Sequence, residues 1–466
     1  MSNRGLLKPN VDQGAVKHLW KRSLRRLSGY AVLCFGVALL VVAVLVLAFS
    51  GAILNGYCKE KVERAFAAAH PGYTLRSGRL AYTFGGNRLM AQSVTLGTTN
   101  STLKTGRISL TGVRWASLLL GTTTLADALA KSSLEATNLD LEFPKAEYAL
   151  HCERLRASVP GLELIVEGTE LRALVGDADF FAAHDFRTTR FHVVVPECRV
   201  LGLAYGELFQ GKSYRARSVE FSQPSFDALV NTDKKLDPFR KRPLMVSEVL
   251  AAISQPLRVD RLSVTNGHLT YCERVVAGAE PGVLTVGAVN MSVEGIANRG
   301  ESPASSIQFH AEGDLMNAGT MKVQMTIPVD SPDFSFHYSG SLGAMDLTQL
   351  DAFLDIAERT RVKSGRVQTA SFDIEVTAGQ ARGYVRAIYK DLEIAVLDKQ
   401  TDTEKGLNNR LASFLTNVLK IRNSNVPDAA GSMKEGDVNY TKRPEEEFLQ
   451  FAWFAMRTGV LDVISH

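Results

Sequence analysis

The run Gly206-Glu-Leu-Phe-Gln-Gly-Lys-Ser213 fits G-x-x-x-x-G-K-S, the spacing with which a glycine-rich loop cradles phosphates. Lys212 is the side chain in it that could pair with them. The Ile394-Ala-Val-Leu-Asp398 run resembles the strand-plus-aspartate that helps hold magnesium. The chemistry needs a strand before the loop and a helix after it, because helix N-terminal N–H groups bind the phosphates. Here Ser213 to Phe221 reads as another strand, broken at Pro224, and Glu207 adds a negative charge inside the loop. A hairpin turn with Gly211 at its tip is expected, with no nucleotide site.

Asp177, Asp179, His184 and Asp185 cluster in Gly-Asp-Ala-Asp-Phe-Phe-Ala-Ala-His-Asp. Oxygen ligands this close could hold a cation, but the glycine and distal glutamate of a calcium loop are absent. A polar turn between strands is expected. The 9 histidines form no H-E-x-x-H, and no G-x-S-x-G or zinc-ligand spacing occurs. The 5 cysteines, Cys34, Cys58, Cys152, Cys198 and Cys272, form no C-x-x-C, and their spacing assigns no disulfide. Asn100-Ser-Thr, Asn290-Met-Ser and Asn439-Tyr-Thr fit glycosylation acceptors, a short pattern that chance also produces. The expectation is a protein that is not an enzyme and uses no cofactor, metal or nucleotide.

The elements that carry the chain are more informative. Tyr30 to Leu54 holds no charged side chain, about the length a helix needs to cross the hydrocarbon layer. It is longer than a secretory apolar region, and Tyr57 is too bulky beside Cys58 for a lipoprotein site. Arg4, Lys8, Lys17, Lys21, Arg22, Arg25 and Arg26 precede it, against Asp12 alone. A basic flank stays cytoplasmic, so the roughly 410 residues beyond Leu54 are expected outside the cytoplasm, without ATP. That flank carries more positive charge than the formal +4 of the whole chain, which leaves the rest close to neutral or slightly acidic, so no nucleic-acid partner is expected.

Beyond the apolar run the pattern turns to period two, the mark of half-buried strands. Val289, Met291 and Val293 alternate with Asn290 and Ser292; Met321, Val323, Met325 and Ile327 with Lys322, Gln324 and Thr326; Phe372, Ile374 and Val376 with Asp373 and Glu375. Gly85-Gly-Asn, Thr265-Asn-Gly, Asn317-Ala-Gly and Thr377-Ala-Gly punctuate the runs as turns. Many short strands without intervening helices predict a mainly β, antiparallel body. Helices are expected over Trp115–Leu120, Leu125–Lys131, Val246–Ser254, Asp346–Glu358, Leu407–Ile421 and Glu445–Val460. The division expected is a cytoplasmic tail (1–29), a membrane anchor (30–54), a helical extension (55–70), a first β region (71–231), a polar loop (232–242), a second β region (243–400) and a helical and short-strand cap (401–466). Ala297 to Ser306 reads as a further polar loop. The apolar face of such a sheet must be covered by a second sheet, a membrane or a bound lipid.

Further phrases carry a resemblance. Gly72-Tyr-Thr-Leu-Arg-Ser-Gly-Arg-Leu follows the anchor and charged helix, and then come Ile108-Ser-Leu, Trp115-Ala-Ser-Leu-Leu-Leu-Gly and Leu134-Glu-Ala-Thr-Asn-Leu-Asp-Leu. Leu257 to Tyr271 forms a strand–turn–strand phrase, and Ser364-Gly-Arg, Phe372-Asp-Ile-Glu-Val and Gly383 to Ile394 lead to Asn408–Asn425 and Pro427. This order resembles the AsmA-like proteins of bacterial envelopes, related to the bridge-like lipid-transfer proteins. The likeness is one of order and pattern over most of the chain. It implies a long curved β-sheet shaped as an open groove, apolar inside, with lipid acyl chains lying in it. Some 20–25 strands about 4.8 Å apart would make a trough on the order of 100 Å long. The groove candidates are Val289, Met291, Val293, Met321, Val323, Met325, Ile327, Phe372, Ile374 and Val376. The resemblance implies a single-pass inner-membrane protein, mostly periplasmic, that binds or transfers phospholipid or another acyl-chain lipid in outer-membrane biogenesis. Its partners would be that lipid, the inner membrane and other envelope proteins. Two rivals stand beside it: a non-catalytic envelope scaffold with a closed β-sandwich body, and an envelope hydrolase with an unseen site.

Overall fold

In the computed structural model, alternation of apolar and polar side chains becomes one 19-stranded sheet. The structure describes residues 59–60, 63–64, 67, 72–239, 243, 246–298, 306–329, 334–396 and 421–465. The apolar run 30–54, Cys34, Cys58, residues 397–398 and nearly all of the helix expected over 407–421 lie outside them. Among the described residues no helix is long and apolar enough to cross a membrane.

The chain opens with β1 (Thr74–Arg76), β2 (Leu80–Thr83), β3 (Arg88–Gly97) and β4 (Thr102–Thr111). Two short helices follow, α1 (Trp115–Leu119) and α2 (Leu125–Leu129). Then come β5 (Ser133–Phe143), β6 (Tyr148–Ser158), β7 (Glu163–Ala173), α3 (Asp177–Ala182), β8 (Thr189–Leu201) and α4 (Tyr205–Phe209). β9 (Tyr214–Ser222) and β10 (Ser225–Asn231) precede α5 (Val246–Ala252). The second half runs β11 (Leu257–Arg274), β12 (Gly282–Ala297), β13 (Ser306–Leu315), β14 (Gly319–Pro328), β15 (Phe336–Leu342) and β16 (Met345–Asp346). A strap of helical turns, Leu347–Leu350, Asp351–Phe353 and Leu354–Glu358, leads to β17 (Thr360–Thr377), β18 (Gln380–Val396), β19 (Glu435–Thr441) and α6 (Phe448–Ile464).

Nearly every strand pairs antiparallel with the next, as expected, but the sheet is mixed. β9 and β10 are halves of one strand interrupted at Gln223-Pro224, since proline cannot donate to the ladder. Both lie antiparallel to β8 and parallel to β11. A parallel neighbour requires a long return connection. The polar stretch from Thr232 and α5 make that return, so the sheet continues straight across it. Asn298, buried, fixes the junction: its Nδ2 lies 3.1–3.2 Å from the carbonyls of Leu250, Ile253 and Gln255, and its Oδ1 accepts Leu257 N–H at 2.7 Å. β1 with β2, and β15 with β16, also share positions beside β3 and β17. The ladder therefore spans about 70 Å at roughly 4.8 Å per strand, shorter than the 100 Å expected.

The Thr265-Asn-Gly phrase is not a turn. It lies inside the 18-residue strand β11, where the register shifts between Val264 and Gly267. Such irregularities align. Ser93 faces Gly106, which faces Asn138, then Glu153, Gly168, Pro196, Gln223 and Asn266 on successive strands, as the flanking pairs show. Ser93, Asn138, Gly168, Gln223, Asn266 and Ala288 have φ between 48° and 61°. At this line each strand places two successive residues on the polar side and then resumes alternation. Thus Leu134 and Ala136 give way to Leu139 and Leu141, and Leu150 and Cys152 to Leu155 and Ala157. Paired strands shift together, so the apolar face stays continuous.

Candidate functional site: the apolar face of the sheet

The ladders show which side chains share a face. Met325 sits between Phe309 of β13 and Tyr338 of β15; Tyr338 faces Ile374 of β17. Val323 pairs with Ala311, which pairs with Met291 of β12; Phe309 pairs with Val293. Ile327 opposes Ile307, Met321 opposes Leu342, Phe372 opposes Gly340, and Val376 opposes Phe336. Val289, past the shift in β12, opposes Gly267. All ten candidate residues therefore lie on one continuous apolar face. The other face carries the Lys104–Glu142 ion pair (3.3 Å) and polar contacts of His151 with Asp140 (2.7 Å), His192 with Glu170 (2.9 Å) and His337 with Asp373 (3.1 Å). Exposed pairs of this kind add little stability; they mark the wet side.

The face divides by what covers it. Ile374 and Val376 are 0 % exposed, packed with Met325, Phe336 and Tyr338 beneath Phe451 and Ala455 of α6. Ile327 and Phe372 pack against the same cluster. The cover is a helix rather than a facing sheet. Close backbone approach seats it: a Cβ on Gly436 would lie 1.9 Å from the Gly459 carbonyl oxygen. Tyr338 Oη donates to Ala452 O at 2.9 Å, and Arg457 of α6 pairs with Glu358 of the strap at 3.6 Å. The β19 N–H of Asp437 donates to the Asp462 carboxylate at 2.9 Å, so α6 also blunts the sheet edge. Val289, Met291, Val293, Met321 and Val323 are half-buried.

Sequence reasoning missed the rest of the open face, on β5 to β12. Leu139, Leu155, Val166, Val200, Val219 and Leu262 there are half-buried, while Phe191, Phe226 and Leu269 are 39 %, 37 % and 37 % exposed. The missed signal is an h-x-h-x-x-h-x-h spacing, as in Leu134-Glu-Ala-Thr-Asn-Leu-Asp-Leu and Leu150-His-Cys-Glu-Arg-Leu-Arg-Ala.

The chemical motifs resolve as follows. The Gly206–Ser213 run has the reverse order of a phosphate loop: helix α4 comes first and strand β9 after it. Gly211, with φ 64°, is not a hairpin tip but the left-handed residue closing α4. Its N–H donates to Leu208 O and that of Lys212 to Glu207 O, the paired bonds that end a helix on glycine. Glu207 accepts from Ser213 Oγ and, at 3.1 Å, from Arg215. Lys212→Ala should leave the fold unchanged, and the wild-type protein should show no ATP binding by calorimetry. Lys212-dependent ATP affinity would refute this.

Of the acidic cluster, Asp177 and Asp179 lie in a short helix, α3, rather than a turn, and His184 and Asp185 lie in the loop that follows it. Phe180 and Phe181 bury beneath α3. Asp177 pairs with Arg190 at 2.9 Å, and Asp227 pairs with the same guanidinium. Among the described residues no group of three His, Cys, Asp or Glu could hold a metal. Cys152, Cys198 and Cys272 are free, and burial raises all three thiols, Cys198 to about 11. Burial thus favours the protonated thiol at each of them. Burial also raises the Glu273 carboxyl, against the hydrogen bond it accepts from Tyr271 at 2.6 Å.

No family model matches the chain, and no curated protein matches it.

Proposed function

We propose that this chain is a membrane-anchored lipid-handling protein of the bacterial envelope, of the AsmA-like kind. Acyl chains of a phospholipid or similar lipid would lie along the uncovered apolar face. The observation that carries the reading is the half-exposed apolar face from β5 to β12, on a sheet whose other face is charged. Removal of that surface from water is the driving force for an acyl chain to bind. Soluble proteins rarely leave a contiguous apolar patch of this kind open.

The aligned irregularities support a trough. Two successive residues on the polar side lengthen that side of each strand, so the sheet bends away from it and the apolar side becomes concave. A line of such bends across β3 to β12 runs along the hydrogen-bonding direction, the long axis of a groove. The open stretch, roughly seven ladder positions, is about 30 Å long. The charge-free run 30–54 and its basic flank would fix the N-terminal end in the inner membrane, with the sheet periplasmic.

The sandwich-scaffold reading needs a second sheet over the apolar face. All described strands belong to one sheet, and apolar side chains of β5 to β12 such as Leu139, Val219, Phe191 and Phe226 keep exposed surface. The test is mass spectrometry of lipids that co-purify with the full-length protein, compared with those of a detergent-washed membrane protein of similar span. Enriched, stoichiometric two-chain lipid is expected. A preparation carrying no lipid above that background would overturn the reading.

A further inference from the structure

At one rim of the uncovered face, apolar residues give way to cations. β9 keeps an unbroken register with β11, so Arg215, Arg217, Val219 and Phe221 alternate onto one face. That is the apolar face, since Val219 opposes Val200 and lies level with Leu262. Arg258 is paired in register with Arg215, and Asp260 lies level with Arg217. Beyond Leu201, Gly202 comes level with Arg217. A Cβ on Gly202 would fall 2.7 Å from Arg217 Cβ and 3.1 Å from its Nε. The arginine stem therefore lies across the space that glycine leaves, and φ 67° at Gly202 favours glycine there.

The charges do not balance. Arg215 pairs with Glu207 at 3.1 Å and Arg258 with Asp260 at 2.7 Å. Arg217 is exposed and, among the described residues, makes no ion pair or hydrogen bond. Three guanidinium groups thus meet two carboxylates. The surplus cation stands one alternation, about 7 Å, from the apolar row. An anion alone would need only the cations. Their position on the same strand face as Val219 and Leu262 fits a molecule whose negative group adjoins an apolar chain.

We propose that Arg217, flanked by Arg215 and Arg258, receives the phosphate of an anionic amphiphile whose acyl chain lies on the Val219–Leu262 row. The proposal rests on the reading of the open face as a lipid site and adds the class of headgroup. Arginine suits it, because its planar fork bonds two phosphate oxygens at once.

The test uses full-length protein in neutral detergent, titrated with phosphatidylglycerol and with diacylglycerol carrying the same acyl chains. Wild-type protein should prefer the phosphatidylglycerol by about tenfold, the effect of a contact near 1.4 kcal/mol. Arg217→Gln should abolish the preference and leave diacylglycerol binding unchanged, while Arg217→Lys should keep part of it. Arg172→Ala, an exposed cation on the outer face of β7, should change neither. Equal wild-type affinity for the two lipids would overturn the headgroup site and leave the lipid face standing. Inorganic phosphate binding as tightly without any lipid, and losing affinity in Arg217→Gln, would make this a free-phosphate site instead. Binding of neither lipid would overturn both proposals.

Discussion

Ile374→Lys should unfold the C-terminal part of the sheet, whereas Met291→Glu should leave the protein folded. Both residues occupy the apolar face, but Ile374 is 0 % exposed beneath α6 and Met291 is half-buried on β12. A lysine among Phe336, Tyr338 and Phe451 would be an unpaired buried charge, costing about 4 kcal/mol or more. The glutamate introduced by Met291→Glu could keep its carboxylate in water, at a cost nearer about 1 kcal/mol. Urea unfolding of the two variants beside wild type measures the contrast. On the lipid reading, Met291→Glu should also lose co-purified lipid while staying folded. Two variants equally destabilised would mean that β12 is packed as tightly as β17, and the open face would be disproved.

Gly436→Ala should dislodge α6. Its φ is ordinary, so the effect is purely one of space: the new methyl group would meet the Gly459 carbonyl and the Val463 nitrogen, both backbone atoms that cannot swing aside. Overpacking of this sort costs about 1–3 kcal/mol, and here it falls where the backbone of the helix comes closest to β19. Hydrogen exchange should quicken through Phe448–Ile464, and the half-exposed Trp453 should change its fluorescence. Loss of the cover would bare Ile374, Val376 and Phe336, so the variant should bind more lipid than wild type if acyl chains occupy the neighbouring face. Unchanged exchange in α6 would show that the helix is held elsewhere, for example by the Arg457–Glu358 pair.

Much of the fold is legible in short stretches. Alternation in β14 and in the second half of β17 stands out because nothing interrupts it there, and Asn317-Ala-Gly and Thr377-Ala-Gly are the turns they look like. β3 to β12 are harder to read. Each changes phase at its middle, at residues such as Ser93, Asn138 and Gly168, and a strict period-two search splits or discards them. Thr265-Asn-Gly has the residues of a turn, yet a left-handed Asn266 serves equally well as a bulge inside a strand. The short helices α3 and α4 lie in stretches rich in Gly and Asp, Gly176-Asp-Ala-Asp and Gly206 to Gly211, which read as turns.

By itself the sequence determined that the body is mainly β, which side chains share a face in uninterrupted strands such as β14, and that the residues after Gly206–Ser213 read as a strand where a phosphate loop needs a helix. These are local properties: unbroken period two fixes the faces of a strand, and the strand pattern from Ser213 leaves no helix after the loop. Tertiary structure alone decided that β11 joins the sheet parallel, that the phase changes line up, and that α6 covers β17 but not β12. Such outcomes depend on contacts between residues far apart in the chain, Gly436 with Gly459, Arg457 with Glu358, Asn298 with Leu250. No local pattern reports them, because an apolar residue on an alternating strand looks the same whether a helix, a lipid or water lies above it.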